Sequence, residues 1–146
     1  MTESIWKVPV QMDLIQDMND KCAPGNIGIE FIEVGPDYLK ARMPVDHRTK
    51  QPGGILHGGV SMVLAETLAS VAGTFAADPR TKRCVGQEIN GNHIRPASDG
   101  WVYGVTRPVH IGRRSQVWET RITDERDRLV CISRMTLAVL DRADAG

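Results

Sequence analysis

The sequence predicts an α+β domain in which one long helix packs against an antiparallel β-sheet. Six stretches resemble β-strands, and a single long apolar helical pattern lies between the second and the third of them. Composition does not shift along the 146 residues, and no repeat or linker interrupts them. Because this length fits one ordinary domain with one core, we expect residues 1–146 to form a single domain.

Each element is predicted from a local pattern. Residues 8–22 carry apolar side chains at helical spacing, and Gly25 lies just beyond them, as is typical after a helix. A second helix is predicted over residues 58–73. The turn at residues 35–37 separates the first two strands, and apolar and polar residues alternate in the second. The predicted strands are residues 27–34, 38–45, 84–94, 101–111, 116–123 and 129–140.

The composition indicates which binding partners and which cellular compartment to expect. Eighteen basic residues balance eighteen acidic ones, which gives no support for a nucleic-acid or membrane partner. No uninterrupted apolar run reaches the roughly 18 residues of a membrane span, and the first residues lack the pattern of a secretory signal. Three widely separated cysteines are typical of free thiols in a reducing compartment, so a cytoplasmic location is expected.

The helix over residues 58–73 carries the strongest functional signal. Glu66 is its only charged residue. A helix that is apolar on nearly every side is expected to be buried on nearly every side, inside a wrapping sheet or at a subunit contact. A carboxylate there is a candidate catalytic group, although Glu66 could instead lie on a solvent-facing rim or pair with an arginine. The predicted apolar stripe is Val60, Val63, Leu64, Thr67, Leu68 and Val71.

The start of this helix resembles an oxyanion-binding element. Gly58 and Gly59 let another group approach the free N–H groups of the first turn, at the positive end of the helix dipole. The alternative is that the two glycines only permit a tight turn. His57 could likewise be a simple capping residue.

Several runs together resemble a known family. QPGGILHGG at residues 51–59, LAE at 64–66 and SVAG at 70–73 are similar to the signature of hotdog-fold acyl-CoA thioesterases. The subgroup that this sequence resembles includes phenylacetate-pathway and enterobactin-proofreading enzymes. The resemblance is strongest to the 1,4-dihydroxy-2-naphthoyl-CoA thioesterases of menaquinone biosynthesis. It implies an antiparallel sheet wrapped around a long central helix. It also implies hydrolysis of an aromatic (aryl or hydroxyaryl) acyl-CoA to the free acid and CoA, without a cofactor.

The resemblance assigns catalytic roles residue by residue. Glu66 takes the place of the carboxylate that attacks the thioester or activates water, and the N–H of Gly58 polarises the thioester carbonyl. His57 and Gln51 match residues that bind or orient the thioester. Ser70, one turn after Glu66, matches a residue that holds the water or the carboxylate.

CoA contacts are expected in three segments. Gly112, Arg113 and Arg114 lie between the strands predicted at residues 101–111 and 116–123, and a glycine with two arginines suits phosphate binding. From spacing alone, an ordinary solvated turn is the alternative. The four histidines are scattered, and no metal site is predicted. The CoA-binding residues that the resemblance implies are Gly86, His93, Ile94, Arg95, Pro96, His110, Ile111, Gly112, Arg113, Arg114 and Ser115.

The site is expected to need two chains. Gly58 and Glu66 are eight residues apart, which is about 12 Å along one helix. An oxyanion donor and an attacking carboxylate must both lie about 3 Å from the reacting group. We therefore expect Gly58 of one chain to face Glu66 of its partner in a twofold homodimer. The resemblance implies the same dimer and often a dimer of dimers.

Two other functions remain open at this point. A hotdog acyl-thioester dehydratase or hydratase would act on the same class of substrate with a histidine and an acid. A non-catalytic acyl-CoA-binding protein, of the kind found in hotdog-type regulators, would not need Glu66, Gln51 or Ser70.

Overall fold

The described part of the chain, residues 3–143 of the computed structural model, folds into one sheet and three helices. The elements are α1 (Met12–Asp20), α2 (Ala23–Asn26), β1 (Glu30–Val34), β2 (Leu39–Pro44), α3 (Gly58–Ala77), β3 (Lys82–His93), β4 (Trp101–Ile111), β5 (Ser115–Thr123) and β6 (Leu129–Asp141). The strands pair antiparallel in the order β1-β2-β4-β5-β6-β3. The predicted α+β architecture, a sheet around a long helix, is confirmed, and β1 and β3 are the sheet edges.

Small side chains allow α3 to pack closely on one face of the sheet. A Cβ atom on Gly73 would lie 2.3 Å from Leu137 Cδ1, and one on Gly104 of β4 would lie 2.7 Å from Leu68 Cδ1. Length and composition alone would let α3 cross a membrane, but here it is the central helix of the domain. Its buried residues are Ser61, Leu64, Ala65, Leu68, Ala69, Ala72, Gly73 and Ala76.

A buried polar chain joins α3 to the sheet. The side-chain amide of Gln116 donates to the Gly73 carbonyl at 3.2 Å, and the Trp118 indole N–H donates to Gln116 Oε1 at 2.8 Å. Both side chains are fully buried. Trp6 stacks on Trp118, with 6.4 Å between ring centroids, and donates its indole N–H to the Gly35 carbonyl. The N-terminal segment is thereby fixed against the core.

Three predicted boundaries differ from the structure by three residues or more. The first helix begins at Met12 rather than at residue 8: helical conformation is disfavoured at Val8 before Pro9, and Gln11 is an extended N-cap with φ −91° and ψ 94°. The central helix continues four residues beyond Gly73, because that glycine is packed against the sheet instead of ending the helix. The first strand begins at Glu30 rather than at residue 27, after the short α2 and the left-handed Gly28 at φ 77°.

The predicted stripe of α3 is only partly correct. Leu64 and Leu68 are fully buried, but Val60, Val63, Thr67 and Val71 are only half-buried. The face in contact with the sheet is instead the row of small residues, because alanine and glycine let the helix axis approach the strands. The single sheet covers one side of α3 and leaves the opposite side accessible in the isolated chain.

Candidate active site

The start of α3 presents one unpaired backbone donor. His57 caps the helix: its Nδ1 accepts the Gly59 N–H at 2.9 Å, and its carbonyl accepts the N–H groups of Val60 and Ser61. Within residues 3–143, no hydrogen bond takes up the Gly58 N–H. One amide at the positive end of a 20-residue helix is therefore free to bind an electron-rich oxygen.

A cleft of about 400 Å³ opens beside this free amide. The imidazole of His93 lies against Gly58, with Nε2 only 2.6 Å from the position that a Cβ atom would occupy. The structure thus brings together two predicted catalytic residues, Gln51 and Gly58, and one complete predicted CoA-binding segment, residues 93–96. The cleft is lined by Gln51, Ile55, Leu56, Gly58, Ser61, His93, Ile94, Arg95, Pro96, Ala97 and Val130.

Glu66 lies elsewhere on α3. A Cβ atom on Gly86 of β3 would lie 2.7 Å from Glu66 Oε1, so the carboxylate rests on the backbone of this edge strand. Its side chain is exposed in the isolated chain, so its own sheet does not bury it, and of the two predicted kinds of burial only a subunit contact is left. The physical reason is that the sheet covers the opposite side of the helix.

Ser70 marks a second, apolar cleft of about 610 Å³ between α1 and the second half of α3. The Ser70 carbonyl accepts the hydroxyl of Thr74 at 2.9 Å. Leu14 and Met18 of α1 are 50% and 61% exposed, which leaves apolar surface facing this space. The sequence pattern predicted α1 but not that it forms a cleft with α3. The lining residues are Val8, Pro9, Gln11, Leu14, Ile15, Met18, Asn19, Ser70, Val71, Thr74, Phe75, Pro79, Arg80 and Arg142.

The predicted phosphate-binding segment is the β4–β5 turn. Its tight form is held by the Gly112 N–H, which donates to the Ser115 carbonyl at 2.9 Å, and the His110 ring lies over Gly112. Arg113 and Arg114 are exposed, as are His110 and Ile111.

The neighbouring ends of β3 and β6 are joined to each other beside this turn. An ion pair joins the Lys82 ammonium of β3 to the Asp141 carboxylate of β6. The hydrogen bond and charge of Lys82, together with the charge of Arg113, lower the pKa of Asp141. The Lys82–Asp141 pair carries no net charge, so the positive charge of this turn comes from Arg113 and Arg114.

Strand register places the candidate residues in two groups. Gly86 pairs with Leu137, which pairs with Gln116, so Gly86 is close to the β4–β5 turn. His93 pairs with Cys131 at the opposite end of β3. Seven residues of extended strand span roughly 20 Å. One chain therefore holds Gln51, His57, Gly58 and 93–96 at one end, and Glu66, Gly86 and 110–115 near the other.

Other reactive groups give little support for different chemistry. Burial raises the pKa of the Cys84 thiol to about 11 and also raises the pKa of Cys131, so neither is a nucleophilic thiolate at neutral pH. All three cysteines are free. Across residues 3–143, no group of three or more His, Cys, Asp or Glu side chains is arranged to hold a metal ion.

A sheet around a central helix, with a free amide at the helix start, suits a thioester hydrolase, and comparison with known proteins identifies the family. The Thioesterase superfamily profile matches residues 53–131. The chain belongs to this family and is a hotdog-fold thioester hydrolase, which confirms the predicted family, fold and enzyme class.

Individual relatives cover nearly the whole chain. It is 48% identical over 136 residues to 1,4-dihydroxy-2-naphthoyl-CoA hydrolase of Escherichia coli, covering 93% of this chain and 99% of that protein. It is 45% identical to the proofreading thioesterase EntH of Cronobacter turicensis, covering 93% and 98%. A crystal structure of a Haemophilus influenzae thioesterase superposes with a TM-score of 0.93 at 40% identity, covering 97% and 99%.

Proposed function

We propose that this enzyme hydrolyses the thioester of an aromatic acyl-CoA at a site shared by two chains, with Glu66 as the catalytic carboxylate. The observation that carries the proposal is the free N–H of Gly58 at the start of α3, next to Gln51 and His93. This amide is a preorganised donor for the oxyanion that forms when a thioester carbonyl is attacked. The reaction also needs a carboxylate. Glu66 is on the same helix but too far from Gly58 for both groups to reach one thioester.

The sheet edge supplies a way to bring the two halves together. In each chain α3 runs antiparallel to β3, so Gly58 lies near His93 and Glu66 lies near Gly86. Edge strands offer unpaired backbone groups to a second strand. A twofold axis at the middle of β3 would pair two copies of the strand antiparallel. It would set the Gly58 end of one chain against the Glu66 end of its partner.

This pairing would also account for the exposure of Glu66. In the isolated chain the carboxylate is open to water, whereas in the proposed dimer the partner's β3 edge and cleft would cover it. Partial desolvation would raise the free energy of the charged carboxylate and strengthen its interaction with a nearby carbonyl carbon or water. Two equivalent sites per dimer follow, and a dimer of dimers is the assembly that we expect.

Each remaining residue then has a defined task. Glu66 either adds to the thioester carbonyl, giving an anhydride that water cleaves, or removes a proton from the attacking water. In both routes the C–S bond breaks and CoA leaves as the thiol after protonation. Because His57 Nδ1 accepts the Gly59 N–H, the neutral ring carries its proton on Nε2 and can donate it to substrate. Gln51 orients the thioester, and Ser70 holds the water or the carboxylate.

An aromatic acyl group is supported by the cleft between α1 and α3. Its volume of about 610 Å³ is within the range of small-molecule sites, and Val71, Phe75 and Met18 give it an apolar lining. Ser70 connects this cleft to the Glu66 region, one helical turn away. The 48% identical relative acts on 1,4-dihydroxy-2-naphthoyl-CoA, a bicyclic substrate, and a hydroxyaryl group of that size is our first candidate.

The nucleotide end of CoA would lie at the basic β4–β5 turn. Arg113 and Arg114 are exposed and free to donate bidentate hydrogen bonds to phosphate. Segment 93–96 of the other chain would contact the pantetheine arm. The substrate is thus an acyl thioester with a charged, nucleotide-bearing leaving group. An acyl-CoA substrate and three free cysteines both fit a location in the cytoplasm.

The decisive experiment replaces the carboxylate. Glu66→Gln keeps the size of the side chain and removes its charge, so kcat on an aryl-CoA should fall at least about 100-fold, with the dimer intact. Thiol release and double-bond formation are measured on the same acyl-CoA, because a dehydratase would give the second and not the first. A folded Glu66→Gln enzyme with near-normal thiol release would disprove the assignment.

A substrate panel then tests the acyl group. Hydrolysis of 1,4-dihydroxy-2-naphthoyl-, benzoyl-, phenylacetyl- and fatty acyl-CoA is compared by kcat/KM. The aromatic proposal predicts the highest values for the hydroxyaryl substrates. A preference for long fatty acyl chains would reject it while leaving thioester hydrolysis intact.

A further inference from the structure

The carboxylate of Glu66 occupies space that any side chain at position 86 would need. A Cβ atom built on Gly86 would lie 2.7 Å from Glu66 Oε1 and 2.5 Å from Met135 Cε. Real Cβ atoms essentially never approach other heavy atoms this closely, so one neighbour would have to move. A Cβ atom at position 86 would therefore lie between a carboxylate from α3 and a buried methionine from β6.

The two neighbours differ in how easily they move. Met135 is 2% exposed and is packed in the core, so displacement in its direction requires repacking of neighbouring side chains. Glu66 has a flexible side chain that is not packed in the core of its own chain, so it can change rotamer without repacking the core. An added methyl group at position 86 would therefore displace the carboxylate rather than the methionine.

The backbone at this point is also irregular. The register between β3 and β6 shifts between Gly86 and Glu88, so Gln87 is an extra residue in the edge strand. Such bulges bend a strand and redirect its side chains, and they are frequent beside functional sites. The bulge and the bare glycine coincide with the position of the Glu66 carboxylate.

We propose that Gly86 is a positioning residue: the absence of a side chain creates the seat in which the Glu66 carboxylate is held against β3 for reaction. This inference rests on the proposed role of Glu66 as the catalytic carboxylate. It assigns Gly86 a task different from a backbone contact to CoA, which the family resemblance implies for the same residue. The two tasks make opposite predictions for kcat and for CoA affinity.

The first test is Gly86→Ala. Because a displacement of about 1 Å can cost up to about 100-fold in rate, kcat should fall by about 10- to 100-fold. The Michaelis constant and the affinity for CoA, measured by calorimetry, should change less than about 2-fold. Gly91→Ala is the matched control in the same strand, because its Cβ would meet the flexible end of Met62 instead of a carboxylate. That variant should keep the wild-type kcat.

A double-mutant cycle shows whether Gly86 acts through Glu66. If it does, Gly86→Ala should cause no further loss of kcat in a Glu66→Gln background. The same fold-loss in both backgrounds, or a weakened CoA affinity with kcat unchanged, would overturn the inference in favour of a direct contact with substrate. Loss of activity in Glu66→Gln together with an unaffected Gly86→Ala enzyme would reject this inference and leave the proposed function standing.

A second variant covers the case in which Gly86→Ala does not fold. Met135→Ala in the Gly86→Ala background gives the added methyl group room on the core side but not on the Glu66 side. With the overlap on the core side removed the double variant should fold, while its kcat should stay below that of the single Met135→Ala enzyme. A kcat equal to that of Met135→Ala would overturn the inference.

Discussion

The imidazole of His93 closes over Gly58, with its Nε2 atom 2.6 Å from the position of the absent Gly58 Cβ. The last residue of β3 and the first residue of α3 thus form one wall of the cleft that contains the free amide. A side chain at position 58 cannot coexist with this ring position.

Gly58→Ala should therefore push the imidazole away from the helix start and disturb the geometry around the free N–H. We expect kcat to fall by about 10-fold or more, because the donor remains but the thioester is held in a displaced position. Gly59→Ala is the control: its Cβ would come no closer than 3.1 Å to the His57 ring, so a smaller effect is expected. Steady-state kinetics and melting temperature are measured for both. Equal kcat values for the two variants would contradict the steric explanation.

The proposed two-chain site makes a quantitative prediction for mixed dimers. Gly58→Ala and Glu66→Gln should each have reduced activity alone, but a heterodimer of the two would have one site with Gly58 and Glu66 both intact. Random exchange makes half of the dimers mixed, with one good site in two, so about a quarter of the wild-type activity should return.

The mixing experiment needs its own control. The two variants are mixed under conditions that allow subunit exchange, and activity is followed until it is constant. A sample mixed without exchange should show only the sum of the two residual activities. If exchange is demonstrated by mass but activity does not rise, then Gly58 and Glu66 do not belong to one shared site.

Much of this arrangement could be predicted from local sequence patterns. Stretches of strand-forming residues between turns located all six strands, and the β4 bounds agree with the structure at both ends. The two glycines after His57 marked the helix start, and His57 is indeed its cap. These features depend on neighbouring residues, which is why sequence alone identifies them.

Features that depend on distant residues were harder to predict. The exposure of Glu66 depends on which side of α3 the sheet covers, and this was decided by Gly73 and Gly104 packing against Leu137 and Leu68. The apolar composition of α3 could not show that its small residues, rather than its valines, face the strands. The contact of Gly86 with Glu66 joins residues from two elements and has no local signature.

The basic β4–β5 turn predicts a salt-dependent Michaelis constant. If Arg114 binds CoA phosphate, added salt should raise the wild-type Michaelis constant by screening this attraction. Arg114→Ala should raise the constant at low salt and reduce its dependence on salt. Arg121→Ala, which removes an exposed arginine from β5 far from the turn, should leave the dependence unchanged. An unchanged salt dependence in Arg114→Ala would place the phosphates elsewhere.

The buried Gln116 predicts a large cost in stability that is separate from catalysis. Gln116→Ala removes the partner of the Trp118 indole N–H and of the Gly73 carbonyl, which both lie in the core. The Trp118 indole N–H would lose its buried acceptor, which costs about 1–3 kcal/mol, and the lost volume adds a cavity, so the free energy of unfolding should fall by about 2–5 kcal/mol in urea titrations. Gln116→Leu restores most of the lost volume without the hydrogen bonds. If Gln116→Leu loses a comparable free energy of unfolding, the hydrogen bonds of the polar chain account for the effect. If Gln116→Leu is nearly as stable as the wild type, packing volume alone holds α3 on the sheet.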